Sequence, residues 1–181
     1  MKPGSLLIAD PSVVGDNNFH RSIILLVEHN YKGSLGFIIN KPLNYHTNDI
    51  MIEMKYNFPL YYGGPVDQEN LFFIHKMGNL IPESIQIEND LYWGGDFKKI
   101  ISLVNDKKLK IDDIKFFLGY SGWSPKQLDI EIESKSWIIN KKSNSSQIFK
   151  KKSESLWKDQ MKELGGKFLL WSNSPENPYE N

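Results

Sequence analysis

The sequence predicts an α+β fold: one compact domain with a mixed, mostly antiparallel sheet and helices packed against it. Two patterns indicate this class. Early apolar segments are separated by short turn signals, so those strands should pair as hairpins, whereas later strands alternate with helical patterns. A chain of 181 residues with 40% hydrophobic side chains is also long enough to bury one core. We therefore treat residues 1–181 as a single domain.

Three predicted strands lie in the first 40 residues. The segment SLLIAD (5–10) is a short apolar strand, and RSIILLVEHN (21–30) is almost continuously apolar, which is typical of a central strand. The turn signal NYKG (30–33) links it to SLGFIIN (34–40), so these two segments should form a hairpin. Pro42 should end the third strand.

The middle of the chain combines short strands with two glycine pairs. Thr47 should cap a short helix over TNDIMIEM (47–54). PLYYGGP (59–65) is a strand that breaks at its double glycine, and NLFFIHK (70–76) is another strand. A second double glycine follows Trp93, which suggests the hypothesis of a duplicated strand-Gly-Gly unit.

A strand and a well-marked helix follow. DLYW (90–93) is a strand, and Asp96 should cap an amphipathic helix that continues to about residue 106. IKFFLGY (114–120) is the next strand, and Gly119 and Gly122 allow a tight turn after it.

The helix after that turn also has a clear start. In SPKQ (124–127), serine is the expected N-cap, proline occupies the first helical position, and glutamine follows three residues after the cap. This arrangement predicts a capping box.

The C-terminal part of the chain contains a Lys/Ser-rich loop at about 141–152, and short strands are predicted at 136–140 and 146–150. We expect this segment to be a surface loop or hairpin and not a recognition element, because it combines lysine with serine and asparagine and has few aromatic side chains. SESLWKDQMKEL (153–164) is a helix closed by glycine. A strand-like FLLW and a Pro/Asn-rich tail from about residue 172 complete the chain.

Composition excludes several classes of site. There is no cysteine, so disulfides, thiolate metal sites and cysteine nucleophiles are excluded. The formal net charge is zero, so no overall field attracts DNA or a membrane surface. No apolar run approaches ~18 residues and the start does not resemble a signal peptide, so we expect a cytoplasmic protein. No histidine pair has metal-ligand spacing and no phosphate-binding glycine motif occurs, so we predict neither a metal nor a cofactor.

The stretch GYSGW (119–123) raises the question of a nucleophilic Ser121, because Gly-x-Ser-x-Gly on a strand-to-helix turn is the nucleophile elbow of many hydrolases. Here Trp123 stands where the last glycine should be. All four histidines precede Ser121, so the chain order Ser…Asp…His cannot form. We therefore predict no catalytic residue, and we expect His75, within FFIHK, to be a core histidine.

Arg21 is the single arginine of a chain that has 21 lysines. A planar guanidinium group with five donors suits a buried ion pair or an anionic ligand. Asp10, Asp16 and Glu28 are the candidate partners for an ion pair, and both interpretations remain open.

A polar cluster is predicted beneath Trp123. Gln127 and Glu131 are four residues apart and so share a helix face, and Arg21 is the natural partner for the carboxylate. We expect a ligand pocket around this cluster and the two glycine turns. Its predicted residues are Arg21, Gly63, Gly64, Pro65, Tyr120, Ser121, Gly122, Trp123, Gln127 and Glu131.

Six segments, in order, resemble the AlgH/YqgE family of bacterial proteins. They are GSLLIADPS (4–12), FHRSIILLVEHN (19–30), GSLGFIINKPL (33–43), YYGGPV (61–66), LYWGGD (91–96) and FLGYSGWSPKQLDIEIESKSW (117–137). The resemblance covers nearly the whole chain except 141–162. It implies a cytosolic, non-catalytic protein with a regulatory role, which for this family is often described as transcriptional.

Three function hypotheses follow. The first is a non-enzymatic protein that binds a small ligand or a protein partner. The second is a DNA-binding transcriptional regulator, which the zero net charge, the single arginine and the lack of a helix-turn-helix pattern disfavour. The third is a hydrolase or transferase, which the missing nucleophile–base pair disfavours. The sequence predicts no membrane association and leaves the oligomeric state open.

Overall fold

Ten β-strands and six α-helices form the part of the chain that the computed structural model describes, residues 1–141, 145–150 and 155–174. The strands are β1 (Leu6–Ala9), β2 (Ile23–Asn30), β3 (Gly33–Ile38), β4 (Pro42–His46), β5 (Pro59–Tyr62), β6 (Val66–His75), β7 (Ile85–Glu88), β8 (Leu91–Trp93), β9 (Ile114–Trp123) and β10 (Trp137–Asn140). The helices are α1 (Thr47–Ile50), α2 (Phe97–Asn105), α3 (Gln127–Glu133), α4 (Ser145–Lys150), α5 (Leu156–Leu164) and α6 (Phe168–Ser172). The α+β class is confirmed.

The sheet is mixed and mostly antiparallel, as predicted. Its strand order is β10-β1-β2-β3-β9-β6-β8-β7. The parallel pair is β5 with β9, and β4 lies at the other edge of β5. The apolar strand β2 lies between β1 and β3 and is buried along most of its length, and β2 and β3 form the predicted hairpin.

Strand β9 joins the two halves of the sheet. Its first half lies between β5 and β6, with Phe117 paired to Tyr61 on one side and Phe72 on the other. Its last three residues, 121–123, pair instead with β3. The predicted tight turn at 119–122 is therefore wrong, because β3 supplies ladder partners that extend the strand to its end at Trp123.

The change of partner along β9 occurs at Gly119. This residue has φ +71°, a left-handed conformation that side chains oppose. A Cβ placed on Gly119 would also lie 2.6 Å from the carbonyl oxygen of Gly64. Gly63 and Gly64 in turn approach the backbone of residues 119–121 too closely for any side chain. The two glycine segments thus pack backbone against backbone.

The core has layers on both faces of the sheet. Alternate residues of a strand point to opposite faces. On one face, Ile23 and Leu25 of β2 pack with Trp157 of α5. On the opposite face, Ile24 packs with Trp123 from the end of β9 and with Trp137, which begins β10. Helix α2, whose N-cap Asp96 accepts hydrogen bonds from the backbone as predicted, covers the sheet near β5, β6 and the first half of β9.

Several elements differ from the sequence prediction. Strands β4 and β7 were not predicted, because both lie at sheet edges and carry few buried residues. Segments 146–150 and 168–171, predicted as strands, lie in helices α4 and α6. Both are too short for a periodic pattern to separate helix from strand.

Two helix starts also differ in detail. Helix α3 begins at Gln127 rather than Pro125, because Ser124 to Gln127 first form a turn. Half of the predicted capping box is present, since the Gln127 side chain accepts from the Ser124 amide at 3.0 Å. Helix α1 is preceded by His46 as its N-cap, and Thr47 is its first residue.

Two predicted segments fall partly outside the described residues. Within the Lys/Ser-rich loop predicted at about 141–152, residues 142–144 and 151–152 are not described, and 145–150 form α4. Within the predicted tail, Ser172 ends α6 and 175–181 are not described.

The hypothesis of a duplicated strand-Gly-Gly unit concerns the two double glycines. Both follow a strand, but the first leads into β6 and the second into α2.

We expect Gly119→Ala to lower the free energy of unfolding by about 2 kcal/mol or more, because it adds a steric clash to an unfavourable left-handed conformation. Gly94→Ala is the matched control, since Gly94 has φ +65° with open space around its Cβ position. That control should cost about 1 kcal/mol. Gly122 has no positive φ, and its Cβ would meet the edge of the Tyr120 ring at 3.1 Å, so Gly122→Ala should cost less than Gly119→Ala. Urea unfolding measures all three, and equal losses for Gly119→Ala and Gly94→Ala would contradict the steric argument.

Candidate functional site

The two predicted glycine segments meet, but they form a solid contact rather than a pocket. Ser121 is fully buried, and its hydroxyl donates to the carbonyl oxygen of Gly63 at 3.1 Å. Pro65 is exposed in the short connection between β5 and β6. The Ser121 hydroxyl therefore holds the crossing of the two segments together and does not face a cavity.

Glu131 is the centre of the predicted polar cluster. Its Oε2 accepts hydrogen bonds from the indole nitrogens of Trp123, at 2.8 Å, and Trp137, at 2.7 Å. Its Oε1 accepts from Gln127 at 2.9 Å, so the predicted shared face of α3 is confirmed. One carboxylate thus ties α3 to the end of β9 and the start of β10.

Arg21 does not belong to that cluster, and its predicted pairing with Glu131 is wrong. Its guanidinium lies over the Trp157 ring, 5.0 Å from the centroid, and donates to the backbone oxygen and the hydroxyl of Ser174 at 3.1 and 2.8 Å. Trp157 packs on one face of β2, whereas Trp123 packs on the other. The sheet therefore separates Arg21 from Glu131.

A cavity of about 390 Å³ lies beside Arg21. We call it the Arg21 cavity. It is lined by His20, Arg21, Asn40, Lys41, Pro42, Trp157 and Lys158.

The backbone at the cavity wall is held in an unusual conformation. Arg21 has φ 52°, which is uncommon for a residue with a side chain. The buried Asn40 side chain fixes it by donating to the Arg21 carbonyl at 2.9 Å and accepting from the Ile23 amide at 2.7 Å. Conformations of this kind persist where neighbouring contacts impose them, and they are often found at functional sites.

The Arg21 cavity is cationic. Burial lowers the pKa of Lys41, and the nearby Asp16 carboxylate partly opposes that shift. The Lys41 ammonium donates to the backbone oxygens of Asn17, at 3.1 Å, and Asn18, at 2.7 Å. Together with Arg21 and Lys158, it gives the cavity three cationic side chains, and the described lining residues include no carboxylate.

Lys115 supports the backbone behind this cavity. It is buried, and its amine donates to the Ile39 carbonyl at 2.8 Å while lying 4.0 Å from the centroid of the Tyr61 ring. Burial lowers the pKa of Lys115 to about 7, although the face of the Tyr61 ring favours the charged form. The bond to Ile39 holds the segment that continues into Asn40 and Lys41.

His75 is a buried structural residue, as predicted. Its Nε2 lies 3.2 Å from the Gly94 oxygen and 3.0 Å from the Ser84 hydroxyl, and its Nδ1 accepts from the Met77 amide at 3.2 Å. Burial lowers the pKa of His75 to about 4, although the bond to Gly94 acts in the opposite direction. A neutral ring therefore links β6 to the loop after β8.

A second concavity contains three of the predicted site residues. This Trp123 groove, of about 440 Å³, runs between Tyr120, Gly122 and Trp123 on one side and the β2–β3 hairpin on the other. Its polar lining mixes a carboxylate and an ammonium, from Glu28 and Lys32. The Trp123 groove therefore has no excess of positive charge, whereas the Arg21 cavity has one.

The described residues contain neither a cluster of metal ligands nor a membrane-spanning helix. Residues 1–141, 145–150 and 155–174 contain no group of three or more His, Asp or Glu side chains arranged to hold a metal ion. None of the helices in those ranges has the length and apolar character needed to cross a bilayer.

Of the residues that line the Arg21 cavity, only Arg21 was predicted from the sequence. A signal was available, because the β2–β3 hairpin pairs Ile24 with Ile38 and so brings the start of one strand beside the end of the other. That register places Asn40 and Lys41 near Arg21. Trp157 lies more than 130 residues later, and no local pattern connects it to this strand.

Comparison with known proteins places this fold among bacterial relatives. The AlgH-like family matches residues 6–169. A UPF0301 protein from Cytophaga hutchinsonii is 41% identical over 180 residues, covering 98% of both chains. A UPF0301 protein from Bacteroides fragilis is 43% identical over 183 residues, covering 98% of this chain and 90% of the relative.

Two solved structures are similar in fold. The crystal structure of a protein from Corynebacterium diphtheriae has a TM-score of 0.76 and 24% identity, covering 96% of this chain and 93% of the other. The solution structure of the AlgH protein from Pseudomonas aeruginosa has a TM-score of 0.75 and 22% identity, covering 96% and 94%. At these identities the likeness establishes the fold alone.

We expect Glu131→Gln to lower the free energy of unfolding by about 1–3 kcal/mol, because one carboxylate oxygen becomes an NH2 donor that faces the amide donor of Gln127, and the neutral amide oxygen accepts more weakly from the two indoles. Tryptophan fluorescence during urea unfolding measures this loss. Glu133→Gln, an exposed change on the same helix, should stay within about 0.5 kcal/mol. Similar losses for the two variants would show that the carboxylate does not hold the indoles.

Lys115 should make stability rise with pH. The unfolded chain keeps this proton up to about pH 10.4, whereas the folded state releases it near pH 7. Between these values the unfolded state binds more protons, so the free energy of unfolding increases with pH. From pH 7 to 9, the wild type should gain about 2 kcal/mol relative to Lys115→Met. Parallel pH profiles for the two proteins would contradict a neutral buried amine.

Proposed function

This chain belongs to the AlgH-like family, and we propose that it is a non-catalytic, cytosolic binding protein whose Arg21 cavity takes a small anionic ligand. The proposal includes a regulatory role, in which occupancy of the cavity changes what the protein contacts. The observation that carries it is the convergence of Arg21, Lys41 and Lys158 on one concave site.

Electrostatics favour an anion at this site. A partly buried ammonium such as that of Lys41 has lost part of its hydration, which is why its pKa is lowered. A negative group beside it restores favourable interactions, and the attraction is stronger than in bulk water because the local dielectric is lower. Arg21 adds a planar donor fork that suits carboxylate and phosphate oxygens.

Size and shape favour a small molecule. A volume of about 390 Å³ lies within the range of about 300–1,000 Å³ that is typical of ligand pockets. Pro42 and Trp157 contribute apolar surface beside the cations, so the anionic group of an organic ligand would bind near Arg21 and its carbon skeleton near these two residues.

The other hypotheses have less support. A hydrolase needs a nucleophile beside a general base, and the Ser121 hydroxyl is buried against the Gly63 carbonyl. A DNA-binding surface would extend across several phosphates, whereas the cationic groups described above line one cavity. Binding to a DNA duplex that is unchanged in Arg21→Gln would favour the regulator hypothesis instead.

Titration calorimetry with inorganic phosphate and with citrate, at low ionic strength, tests the proposal. We expect Arg21→Gln and Lys41→Gln each to weaken binding by about tenfold or more, because each removes a charged donor. Lys32→Gln removes one positive charge from an exposed site outside the cavity and is the matched control. Affinities that fall equally in all three variants would mean that net charge, and not the cavity, governs binding.

The variants must remain folded for this comparison. Thermal unfolding without ligand reports that directly. With ligand, the midpoint of the wild type should rise with phosphate concentration, since a ligand that binds the native state stabilises it. The absence of any rise at millimolar phosphate and citrate, together with no heat of binding, would overturn the proposed function.

A further inference from the structure

One edge of the sheet is open. Strand β10 pairs with β1 on one side, and none of the described strands pairs with its other side. We infer that this edge binds an extended, acidic segment of a partner protein, which adds a strand to the sheet. The inference goes beyond the proposed function, because it involves neither the Arg21 cavity nor its ligand.

The hydrogen bonds between β1 and β10 show which way each residue of β10 faces. The Asp10 amide donates to the Ser136 carbonyl at 3.0 Å, and the pairing continues in regular register from there through β10. In an antiparallel ladder every second residue bonds to the same neighbouring strand. Ile138 therefore directs its N–H and C=O groups toward β1, whereas Trp137 and Ile139 direct theirs toward the open edge.

The main-chain groups at this edge are available to another strand. No hydrogen bond joins the backbone N–H or C=O group of Trp137 or Ile139 to another residue of the described ranges, apart from the ladder with β1. Ile139 is half-buried, so part of it reaches the surface. Unpaired groups along a strand are a template on which a further strand can form.

The other two sheet edges among the described strands are built differently. β4 begins with Pro42, and its pairing with β5 is irregular. The pairing of β7 with β8 shifts register between Gln86 and Glu88. Proline and bulges are common devices that keep an edge strand from pairing with other chains. β10 has neither device and no charged residue, so it has the regular edge that strand addition requires.

The charge at the two ends of β10 identifies the partner as acidic. Lys135 precedes the strand and Lys141 follows it, and both are exposed. Neither lysine forms an ion pair with a residue of the described ranges. The Glu131 carboxylate, which contacts the Trp137 indole, already accepts from two indoles and from Gln127. A partner carboxylate opposite each lysine adds a favourable cross-strand pair.

A second copy of this chain fits the edge less well. Antiparallel pairing of β10 with itself about Ile138 would place Lys135 of each copy opposite Lys141 of the other, and like charges directly opposite each other destabilise a strand pair. A segment with acidic residues six positions apart and apolar residues between them meets the same edge with attraction at both ends.

The probe for this edge is a synthetic peptide, acetyl-Glu-Thr-Val-Val-Val-Thr-Glu-amide. Its symmetric sequence presents a carboxylate at each end in either strand direction. Its Kd is measured by NMR titration of the isotope-labelled full chain. We expect the Trp137 and Ile139 amides to shift and to exchange more slowly with solvent. The Ile138 amide already bonds to β1 and should change little, so protection of Ile138 without Ile139 would contradict the inference.

Two variants test the backbone and the charge separately. Ile139→Pro removes an N–H group that the fold does not use, which an edge strand tolerates, and should weaken peptide binding about tenfold or more. Lys135→Glu with Lys141→Glu should weaken it about fivefold or more and should favour the matched peptide with lysine at both ends. Lys98→Glu with Lys110→Glu makes the same charge change at exposed positions outside β10 and is the control.

The outcomes are distinct. Thermal unfolding reports whether each variant is folded, and the lysine variant keeps the test valid even if Ile139→Pro is unstable. Absence of peptide binding at millimolar concentration, or an equal loss in the Lys98/Lys110 control, would overturn the inference. A dimer in sedimentation analysis that Ile139→Pro dissociates would assign the edge to a second copy and would also overturn it. Phosphate binding to the full chain is a separate measurement, so the proposed function stands or falls independently.

Discussion

The close backbone contact between Gly63–Gly64 and residues 119–121 is the constraint on which the rest of the structure depends. At this point β9 stops pairing with β5 and begins to pair with β3. The bend requires the left-handed conformation of Gly119, and the approach leaves no room for a side chain on either segment. Because β9 belongs to both halves of the sheet, their relative orientation is set by a few glycines.

Glu131 and Arg21 lie on opposite faces of the sheet. Beyond the glycine junction, Trp123 packs on one face and is joined through Glu131 to Trp137. On the opposite face, Trp157 supports the guanidinium of Arg21 beside the cavity. The carboxylate cluster stabilises the packing of α3, while the guanidinium lines the Arg21 cavity.

Local signals explain why much of the fold was predictable. The NYKG turn between two apolar segments predicted the β2–β3 hairpin, Asp96 predicted the start of α2, and the spacing of Gln127 and Glu131 predicted their contact. In each case the residues that interact are neighbours along the chain or along one helix.

The remaining features depend on partners that are distant in the sequence. Ser121 to Trp123 extend as a strand because β3 lies beside them, although their own composition indicates a turn. Arg21 contacts Trp157 and Ser174, which lie more than 130 residues after it in the chain. Glu131 was the predicted partner because its charge is complementary to that of Arg21. Complementary charge identifies groups that could pair, but two groups contact each other only when they lie on the same face of the sheet.

The dual membership of β9 has a consequence for how the chain acquires its structure during synthesis. The partners of β9 lie about 40 to 90 residues upstream of it, and β1 pairs with β10 across most of the chain. The β2–β3 hairpin can close early, but the sheet halves cannot join until β9 has left the ribosome. Pairings with such large separations fold slowly and leave strand edges uncovered in the meantime. During that interval the apolar strand β2 lacks Trp123 of β9 and Trp157 of α5, which pack on its two faces.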